Sequence, residues 1–308
     1  MTKLAIITTH PIQYYAPLFR LLGKRDLQVK VFYTWGNVGE KKFDPGFGKE
    51  VSWDIPLTEG YDFTFVKNTA KNPGSHHFKG VENPSLIEEV QQWGATAILV
   101  FGWSYQSHFK AIRYFKGKIP VYFRGDSTLL DEVKGYKIIL RRLFLRFVYS
   151  YVDFCFYVGQ NNKAYFLKHG LKEKQLIFAP HAIDNSRFAN FSDDASVQQK
   201  KEELGINDTD KVILFIGKFE PKKDPLLLLS AFKSISLENT HLIFIGNGVL
   251  ESDLREKAGT NPYVHFLPFQ NQSVMPAIYR LGDVVCLPSK GPGETWGLVM
   301  NEAMACGI

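Results

Sequence analysis

Cysteine is scarce in this sequence, with three residues in 308, and the three lie far apart. Cys155 and Cys286 sit inside apolar runs and Cys306 sits near a helix end. Their spacing matches no metal or redox motif, so neither a disulfide framework nor a cysteine-ligated metal organises the chain. No apolar run approaches the roughly 20 residues needed to span a bilayer. The opening Met1-Thr2-Lys3, followed by Leu4 to Ile7, is too short for the apolar core of a secretory signal. The cytoplasm is the expected location, with the inner face of the cell membrane as a peripheral site. There is no Gly-x-Gly-x-x-Gly, which argues against a dinucleotide cofactor. No aspartate cluster demands a metal ion, and the adjacent His76 and His77 have no third ligand nearby in sequence. A regular alternation of aromatic and basic residues, the pattern that stacks on and neutralises nucleic acid, is also missing, so nucleic acid is not an expected partner.

What remains is a globular composition, 45% hydrophobic and 22% charged, with ample apolar material for two cores. A net charge of +6 suits phosphorylated ligands or anionic lipid, and equally a protein with no use for the excess. Short apolar runs alternate with helical periodicities. Leu4 to Thr9, Val29 to Thr34, Phe63 to Lys67, Ala97 to Phe101, Val121 to Phe123, Phe154 to Val158 and Ile177 to Ala179 read as strands. Ser85 to Trp93, Tyr105 to Phe115, Tyr136 to Tyr151 and Asn161 to His169 read as helices. Such alternation implies a parallel sheet with helices on both faces. Phe191 to Asp210 is polar and charged without a β-rich core pattern, which places a boundary near residue 190 and two domains at 1–190 and 191–308. The second half repeats the pattern, with strands at Val212 to Ile216, His241 to Ile245 and Val264 to Leu267, and helices beginning at Leu226 and Met275. Trp35 to Thr58 has no clear period and reads as a loop, either covering a ligand site or forming a variable surface excursion.

Open α/β sheets bind ligands at the carboxyl ends of their strands. The first strand runs into a turn carrying His10 and Gln13, stiffened by Pro11 and Pro17. Another ends in Arg124-Gly125-Asp126-Ser127. Asp126 could orient a hydroxyl or take its proton there, or cap the next helix. In the second half, Gly217-Lys218-Phe219-Glu220-Pro221-Lys222-Lys223-Asp224-Pro225 joins a strand to a helix. Asp224 suits the N-cap and Pro225 the first helical position. Lys218 and Lys223 flank that loop, where cations can meet a diphosphate; alone, each is as well read as a solvated loop lysine. Near the end, Val284 to Leu287 reads as a buried strand ended by Pro288. A Gly/Pro loop and a helix from Leu298 to Ala305 follow, with Gly307 where a helix C-terminal glycine belongs. The unpaired amides near Gly297 attract anions. Glu294 and Glu302 straddle that helix start and can accept hydrogen bonds from sugar or ribose hydroxyls. Either glutamate alone is equally an ordinary acidic residue near a helix start.

The stretch from Asp283 to Gly307 resembles the signature of the retaining glycosyltransferases of family 4. It has an aspartate opening a strand, Pro-Ser, two glutamates with seven residues between, an aromatic-Gly-Leu after the first and Glu-Ala-Met-Ala around the second. The resemblance implies that Glu294 contacts donor-sugar hydroxyls and Glu302 the nucleotide ribose, while the backbone at Trp296, Gly297 and Leu298 meets the diphosphate or sugar. The Gly217 to Asp224 block resembles the family's Gly-Arg-Leu…Lys-Gly motif, whose two basic residues hold the donor phosphates. Lys218 stands for the arginine, so a bidentate fork becomes a point charge. Asp224 stands for the glycine, a change its capping role makes harmless. Gly246-Asn247-Gly248 resembles the Gly-x-Gly at the nucleotide edge. Pro180-His181-Ala182-Ile183-Asp184 resembles the Pro-Asn-Gly-Val-Asp block that closes the first domain, with His181 and Ala182 replacing Asn and Gly.

The implied fold is α/β of the GT-B kind, with two doubly wound, Rossmann-like domains facing a cleft and the second incomplete. In the family a further strand and several helices follow, so an exposed sheet edge and weak or absent activity are expected for a chain ending here. The implied activity is hexosyltransferase-type transfer, with retention, from a nucleotide-diphosphate sugar to a glycan or lipid-linked acceptor in cell-surface polysaccharide synthesis. A UDP-sugar is favoured over a GDP-sugar, and neither a metal nor a further cofactor is needed. Lys218, Lys223, Glu294 and Asp126 are the expected catalytic residues. Gly246, Asn247, Trp296, Gly297, Leu298 and Glu302 join the donor side, and His10, Gln13, Arg124 and Asp126 the acceptor side. Tyr136 to Tyr151, with Lys137, Arg141, Arg142 and Arg146 among apolar residues, reads as a core helix with one wet face or as a segment lying on an anionic membrane. Two rival functions stand beside transfer. One is nucleotide-sugar binding without turnover. The other is glycoside hydrolysis with Glu294 and Glu302 as acid and base, which the two lysines and the helix N-terminus oppose because they describe a phosphate site.

Overall fold

The structure is a computed structural model that describes residues 1–36, 42–44, 49–132, 135, 137–235, 238–291 and 293–308. The chain divides into two compact units, Met1–Glu40 with Leu57–Ala182, and Lys41–Pro56 with Ile183–Ile308.

In chain order the strands are β1 (Thr2–Thr8), β2 (Leu27–Tyr33), β3 (Lys42–Asp44), β4 (Lys49–Val51), β5 (Asp62–Phe65), β6 (Ala97–Phe101), β7 (Val121–Arg124), β8 (Phe154–Tyr157), β9 (Leu176–Phe178), β10 (Lys211–Ile216), β11 (Thr240–Ile245), β12 (Val264–Leu267) and β13 (Val284–Val285). The α-helices of the first unit are α1 (Ala16–Leu22), α2 (Leu86–Gln92), α3 (Gln106–Phe115), α4 (Lys137–Tyr149) and α5 (Gln160–Lys168). Those of the second are α6 (Asn185–Ala189), α7 (Asp194–Glu203), α8 (Pro225–Ile235), α9 (Glu251–Ala258), α10 (Met275–Tyr279) and α11 (Leu298–Cys306).

The first unit is a seven-stranded parallel sheet in the order β5-β2-β1-β6-β7-β8-β9. Its strands are apolar on both faces because helices cover both. The period-2 alternation shows in β1: Ala5 and Ile7 join the core beneath α2 and α3, while Ile6 joins the opposite core with Phe19 of α1. The strand order reverses between β1 and β6. The chain leaves their carboxyl ends in opposite directions there, which opens the crevice where such sheets take ligands. His108 of α3 is fully buried beside this point. Its Nε2 lies 2.8 Å from Thr34 Oγ1, and its Nδ1 lies 3.0 and 3.1 Å from the carbonyls of Gly102 and Phe101. Two carbonyl acceptors place the proton on Nδ1. Burial nonetheless lowers the pKa of this ring to about 4.

The second unit is built on a four-stranded parallel sheet, β12-β11-β10-β13. One face packs on Phe188 of α6, Met275, Ile278 and Tyr279 of α10, and Ala303 of α11. The other packs on Leu228, Leu229 and Phe232 of α8, and Leu254 and Ala258 of α9. The units part between Ala182 and Ile183 instead of near residue 190, because fully buried Phe188 belongs to the second core. The segment expected to be a loop at 35–58 contains the antiparallel hairpin β3–β4 and groups with the second unit. Its exit is tied there by side chains. Asn271 Nδ2 donates to Ser52 O at 2.7 Å, Asp54 Oδ1 accepts from Ser273 N at 2.9 Å, and Trp53 lies 6.2 Å from the Phe269 ring. Strand β13 is two residues long and occupies the sheet edge, with Val284 more than half exposed.

Candidate active site

The carboxyl ends of β10 and β11 meet backbone to backbone. Gly246 and Gly248 have φ of +143° and +159°. A Cβ on Gly246 would lie 2.0 Å from Gly217 O, and one on Gly248 2.5 Å from Phe219 O. Glycine is therefore demanded at both positions by close approach, and at Gly246 by the dihedral as well. Phe219 N donates to Asn247 O at 2.9 Å, which ties the two loops together. The Asn247 amide is engaged within the unit: Nδ2 donates to Glu251 Oε2 at 3.0 Å and Oδ1 accepts from Phe269 N at 2.9 Å. These bonds make Asn247 a brace for the loop that a ligand would meet.

From this junction the loop Gly217 to Asp224 runs to α8. Because β13 pairs with β10, the loop after β13 comes alongside. Lys290 N donates to Lys222 O at 2.8 Å, and Lys290 Nζ donates to Asp224 Oδ2 at 2.8 Å. Asp224 adopts φ +47°, ψ +49°, the left-handed conformation that suits glycine. The expected side-chain cap is thus replaced by a carboxylate turned to Lys290. Leu227 N reaches the Asp224 carbonyl at 3.1 Å.

The pairing of these loops brings Lys223 Nζ to 2.5 Å from Glu294 Oε2, with side chains only 16% and 19% exposed. The charges touch, although Glu294 Oε2 lacks the alignment of a hydrogen bond. Ser289 Oγ, on the same loop, is buried and makes no hydrogen bond among the described residues. Three residues beyond Glu294, Gly297 opens α11 as its N-cap, a residue with no side chain of its own to cap the helix. Trp296 folds back, its Nε1 donating to Asn301 Oδ1 at 2.8 Å. Gly307 closes the helix in the left-handed conformation, as expected. Gly297 has an ordinary φ of −94°, and an added Cβ would meet only the Met300 side chain at 3.3 Å and Leu287 Cδ2 at 3.9 Å. Gly297→Ala is therefore expected to shift unfolding stability by no more than about 0.5 kcal/mol, measured by urea denaturation.

Glu302 lies one turn inside α11. Burial raises its pKa, while the Tyr279 hydroxyl, donating to Oε2 at 2.6 Å, and the Arg187 charge pull it down. Burial also lowers the pKa of Arg187, which donates to Gln272 Oε1 at 2.6 Å. Neither Tyr279 nor Arg187 carried a sequence signal, because their meeting with Glu302 depends on how α6, α10 and α11 pack.

The first unit holds a cavity of about 550 Å³ at the crevice between β1 and β6. It gathers His10, Arg124 and Asp126 of the expected acceptor residues; Gln13 is not among its lining. Arg124 is buried and braces backbone, with Nη1 donating to Ala179 O at 2.8 Å and Nη2 to Pro180 O at 3.4 Å, and its guanidinium also meets the Tyr15 hydroxyl. It acts as a strut for the chain leading into His181. His181 also lines the cavity, stacked on Tyr15 at 6.2 Å and edge-on to Tyr14 at 6.0 Å. Burial, aided by the Arg124 charge and opposed by Asp126, lowers its pKa to about 4. Sequence reasoning placed His181 in a motif but not in a cavity, because the cavity depends on β9 following β8 to the sheet edge.

His108 and His181 together set an acid limit. Both have folded pKa values near 4, below the roughly 6.5 of an unfolded histidine. Between those values the unfolded chain binds more protons, so stability is complete above about pH 6.5 and falls as pH drops towards 4. The slope reaches at most about 1.4 kcal/mol per pH unit for each ring. Urea unfolding at pH 7.5 and pH 5 checks this, and His181→Asn is expected to flatten the slope.

Both units are Rossmann-like parallel α/β layers, and together they have the fold of GT-B glycosyltransferases. Residues 196–308 match the family described as Glycosyl transferases group 1. Among curated relatives, the chain is 33% identical over 112 residues to the D-inositol 3-phosphate glycosyltransferase of Mycolicibacterium gilvum (strain PYR-GCK), covering 34% of this chain and 24% of that one. It is 30% identical over 141 residues to the D-inositol 3-phosphate glycosyltransferase of Salinispora arenicola (strain CNS-205), covering 41% and 31%. The matched stretch thus spans well under half the length of either relative. Among solved structures, the Anabaena protein HepE in complex with UDP and glucose superposes with a TM-score of 0.66 at 16% identity, covering all of this chain and 79% of that one. WaaG, a glycosyltransferase involved in lipopolysaccharide biosynthesis, superposes with a TM-score of 0.61 at 16% identity, covering 99% and 79%. The UDP-GlcNAc 2-epimerase of Methanocaldococcus jannaschii superposes with a TM-score of 0.59 at 16% identity, covering 100% and 82%. The fold alone therefore does not choose between transfer and epimerisation, and the choice rests on the site.

Proposed function

We propose that the chain is a glycosyltransferase that binds a nucleotide-diphosphate sugar on its second unit and transfers the sugar, with retention, to a hydroxyl of a glycan or lipid-linked acceptor. The observation that carries this reading is the Lys223–Glu294 pair at the head of α11. A cation, a helix N-terminus opened by glycine and a carboxylate within one loop pairing suit a ligand that is anionic at one end and hydroxylated at the other. Lys218 and Lys223 would meet the diphosphate together with the first amides of α11. They would stabilise the charge it gains when the bond to the anomeric carbon breaks. Glu294, released from Lys223, would take sugar hydroxyls. Glu302 would reach the ribose from its place beside Tyr279. On the first unit, His10 and Asp126 are the proposed acceptor contacts. Cell-surface polysaccharide synthesis at the cytoplasmic face of the membrane, without metal or further cofactor, is the setting we propose. Hydrolysis is less well supported, because Glu294 is charge-paired and Glu302 is already engaged by Tyr279.

A uridine nucleotide is the favoured donor, supported by the UDP and glucose bound in the Anabaena neighbour. The reading is tested by titrating UDP into wild type and Gly297→Ala. About tenfold weaker binding with unchanged stability is expected, since a methyl at the helix start would hold the phosphate away from the amides. Equal affinity would remove α11 from the site. Retention is read separately from the anomeric coupling of the product by NMR, where inversion would contradict it.

A further inference from the structure

Two helices act on Glu302 of α11. From α10, the Tyr279 hydroxyl donates to Oε2 at 2.6 Å. The Tyr279 ring is fully buried and lies edge-on to Phe188 of α6 at 5.8 Å, so core packing fixes where the hydroxyl stands. Burial also holds the Tyr279 pKa well above its ordinary value, so the hydroxyl keeps its proton and remains a donor. From α6 comes the charge of Arg187. Gln272 clamps its guanidinium, the carbonyl accepting from Nη1 and Oε1 from Nη2 at 2.6 Å, and the guanidinium lies over the Phe188 ring at 4.3 Å. Arg187 is thus placed by neighbours other than Glu302 and acts on it as a fixed positive charge. The Cys306 thiol, on the same helix as Glu302, stays neutral because burial raises its pKa. Glu302 Oε1 accepts no hydrogen bond among the described residues, and the residue is only partly buried. The carboxylate is therefore tied at one oxygen and open at the other.

We propose that Tyr279 is a positioning residue for nucleotide recognition: by holding Oε2 it presents Oε1 of Glu302 to the ribose, and so sets the preference for a nucleotide that carries ribose hydroxyls. The place of Glu302 at the ribose belongs to the donor reading above, on which this inference rests. The last torsion of a glutamate is soft, and a carboxylate that must be fixed at the moment of binding loses affinity to that ordering. Tyr279 fixes it in advance. It touches neither nucleotide nor sugar and acts through Glu302. The acceptor must also be ionised, and the hydroxyl bond favours the ionised form. Without that bond, burial is opposed by Arg187 alone and the pKa of Glu302 rises.

The test is calorimetric titration of the full chain with UDP and with 2′,3′-dideoxy-UDP between pH 8 and pH 5. The ratio of the two dissociation constants reads the ribose contact and cancels the titration of the diphosphate itself. At pH 8 wild type is expected to prefer UDP on the order of a hundredfold, as hydrogen bonds to a charged group allow. Tyr279→Phe keeps the ring in the core and is expected to reduce the preference to about tenfold. The preference should fall on acidification as Glu302 takes a proton, and should fall at higher pH in Tyr279→Phe than in wild type. In Glu302→Gln the preference should be small and independent of pH, and adding Tyr279→Phe should change it no further. The inference is overturned if Tyr279→Phe keeps the wild-type preference and pH profile, or if it lowers the preference equally in the Glu302→Gln background. Equal weakening of both nucleotides would mark Tyr279 as a packing residue only and overturn it too. Failure of wild type to bind UDP would instead overturn the donor reading, and this inference with it.

Discussion

Lys223→Ala is expected to lower the rate of sugar transfer on the order of a hundredfold, the usual cost of deleting one preorganised group from a site where transition-state charge develops. Lys223 is suited to that task because its ammonium is largely withdrawn from water and already aimed at the head of α11 by Glu294. In the free protein the same substitution leaves the Glu294 carboxylate mostly buried without its cation, and about 1–3 kcal/mol of stability should be lost. Replacing both partners should cost less than the sum of the single changes, which a double-mutant cycle measures. Lys222 is the control. It is exposed on the same loop and its charge partner is Glu220, at 3.4 Å. Lys222→Ala should change the transfer rate less than threefold, a difference of roughly 0.6 kcal/mol, as befits a surface charge. Equal rates for Lys222→Ala and Lys223→Ala would mean that the departing diphosphate is held elsewhere.

The largest effect on folding is expected at Gly246. An alanine there must place its Cβ 2.0 Å from Gly217 O and 3.0 Å from Gly217 C at a φ of +143°. The backbone has little room to yield, because Gly217 N is bonded to Ile245 O and Gly246 N to Leu267 O, each at 3.0 Å. Gly246→Ala should lower the unfolding free energy by about 3 kcal/mol or more. Gly205 separates the clash from the dihedral. It also has a positive φ, +68°, but an added Cβ would meet nothing within 4 Å. Gly205→Ala should cost only about 1 kcal/mol. Urea midpoints for the two variants test this, and comparable losses would show that the β10–β11 junction is looser than described.

Much of the parallel α/β pattern was legible because buried strands are continuous apolar runs. Val264 to Leu267 and Ala97 to Phe101 were found at their observed limits. Helices α7 and α9 were not legible. Helix α7 buries no residue, and its clearest mark is Asp193 accepting from Ser196 N at 3.1 Å. Helix α9 buries only Leu254 and Ala258. In the candidate site, Lys223 and Glu294 were each legible as residues at strand ends. Their contact was not, since it depends on β13 pairing with β10 across a long stretch of sequence. Gly246 and Gly248 were noticed as a nucleotide-edge motif, and the structure gives them a packing reason as well. Arg124 read as a ligand contact because it stands at a strand's carboxyl end. It does line the cavity, and it is also a strut because β9 ends within its reach.

The most direct test of the donor site is thermal unfolding with and without UDP, GDP and ADP, on wild type and on the Lys218→Ala, Lys223→Ala double variant. A ligand that binds only the folded state stabilises it by mass action, by about 2.7 kcal/mol at a hundred times its dissociation constant. A rise in melting temperature with UDP, absent in the double variant, is the expected result. No rise with any nucleotide, or an equal rise in the double variant, would contradict the assignment of the diphosphate to Lys218, Lys223 and the head of α11.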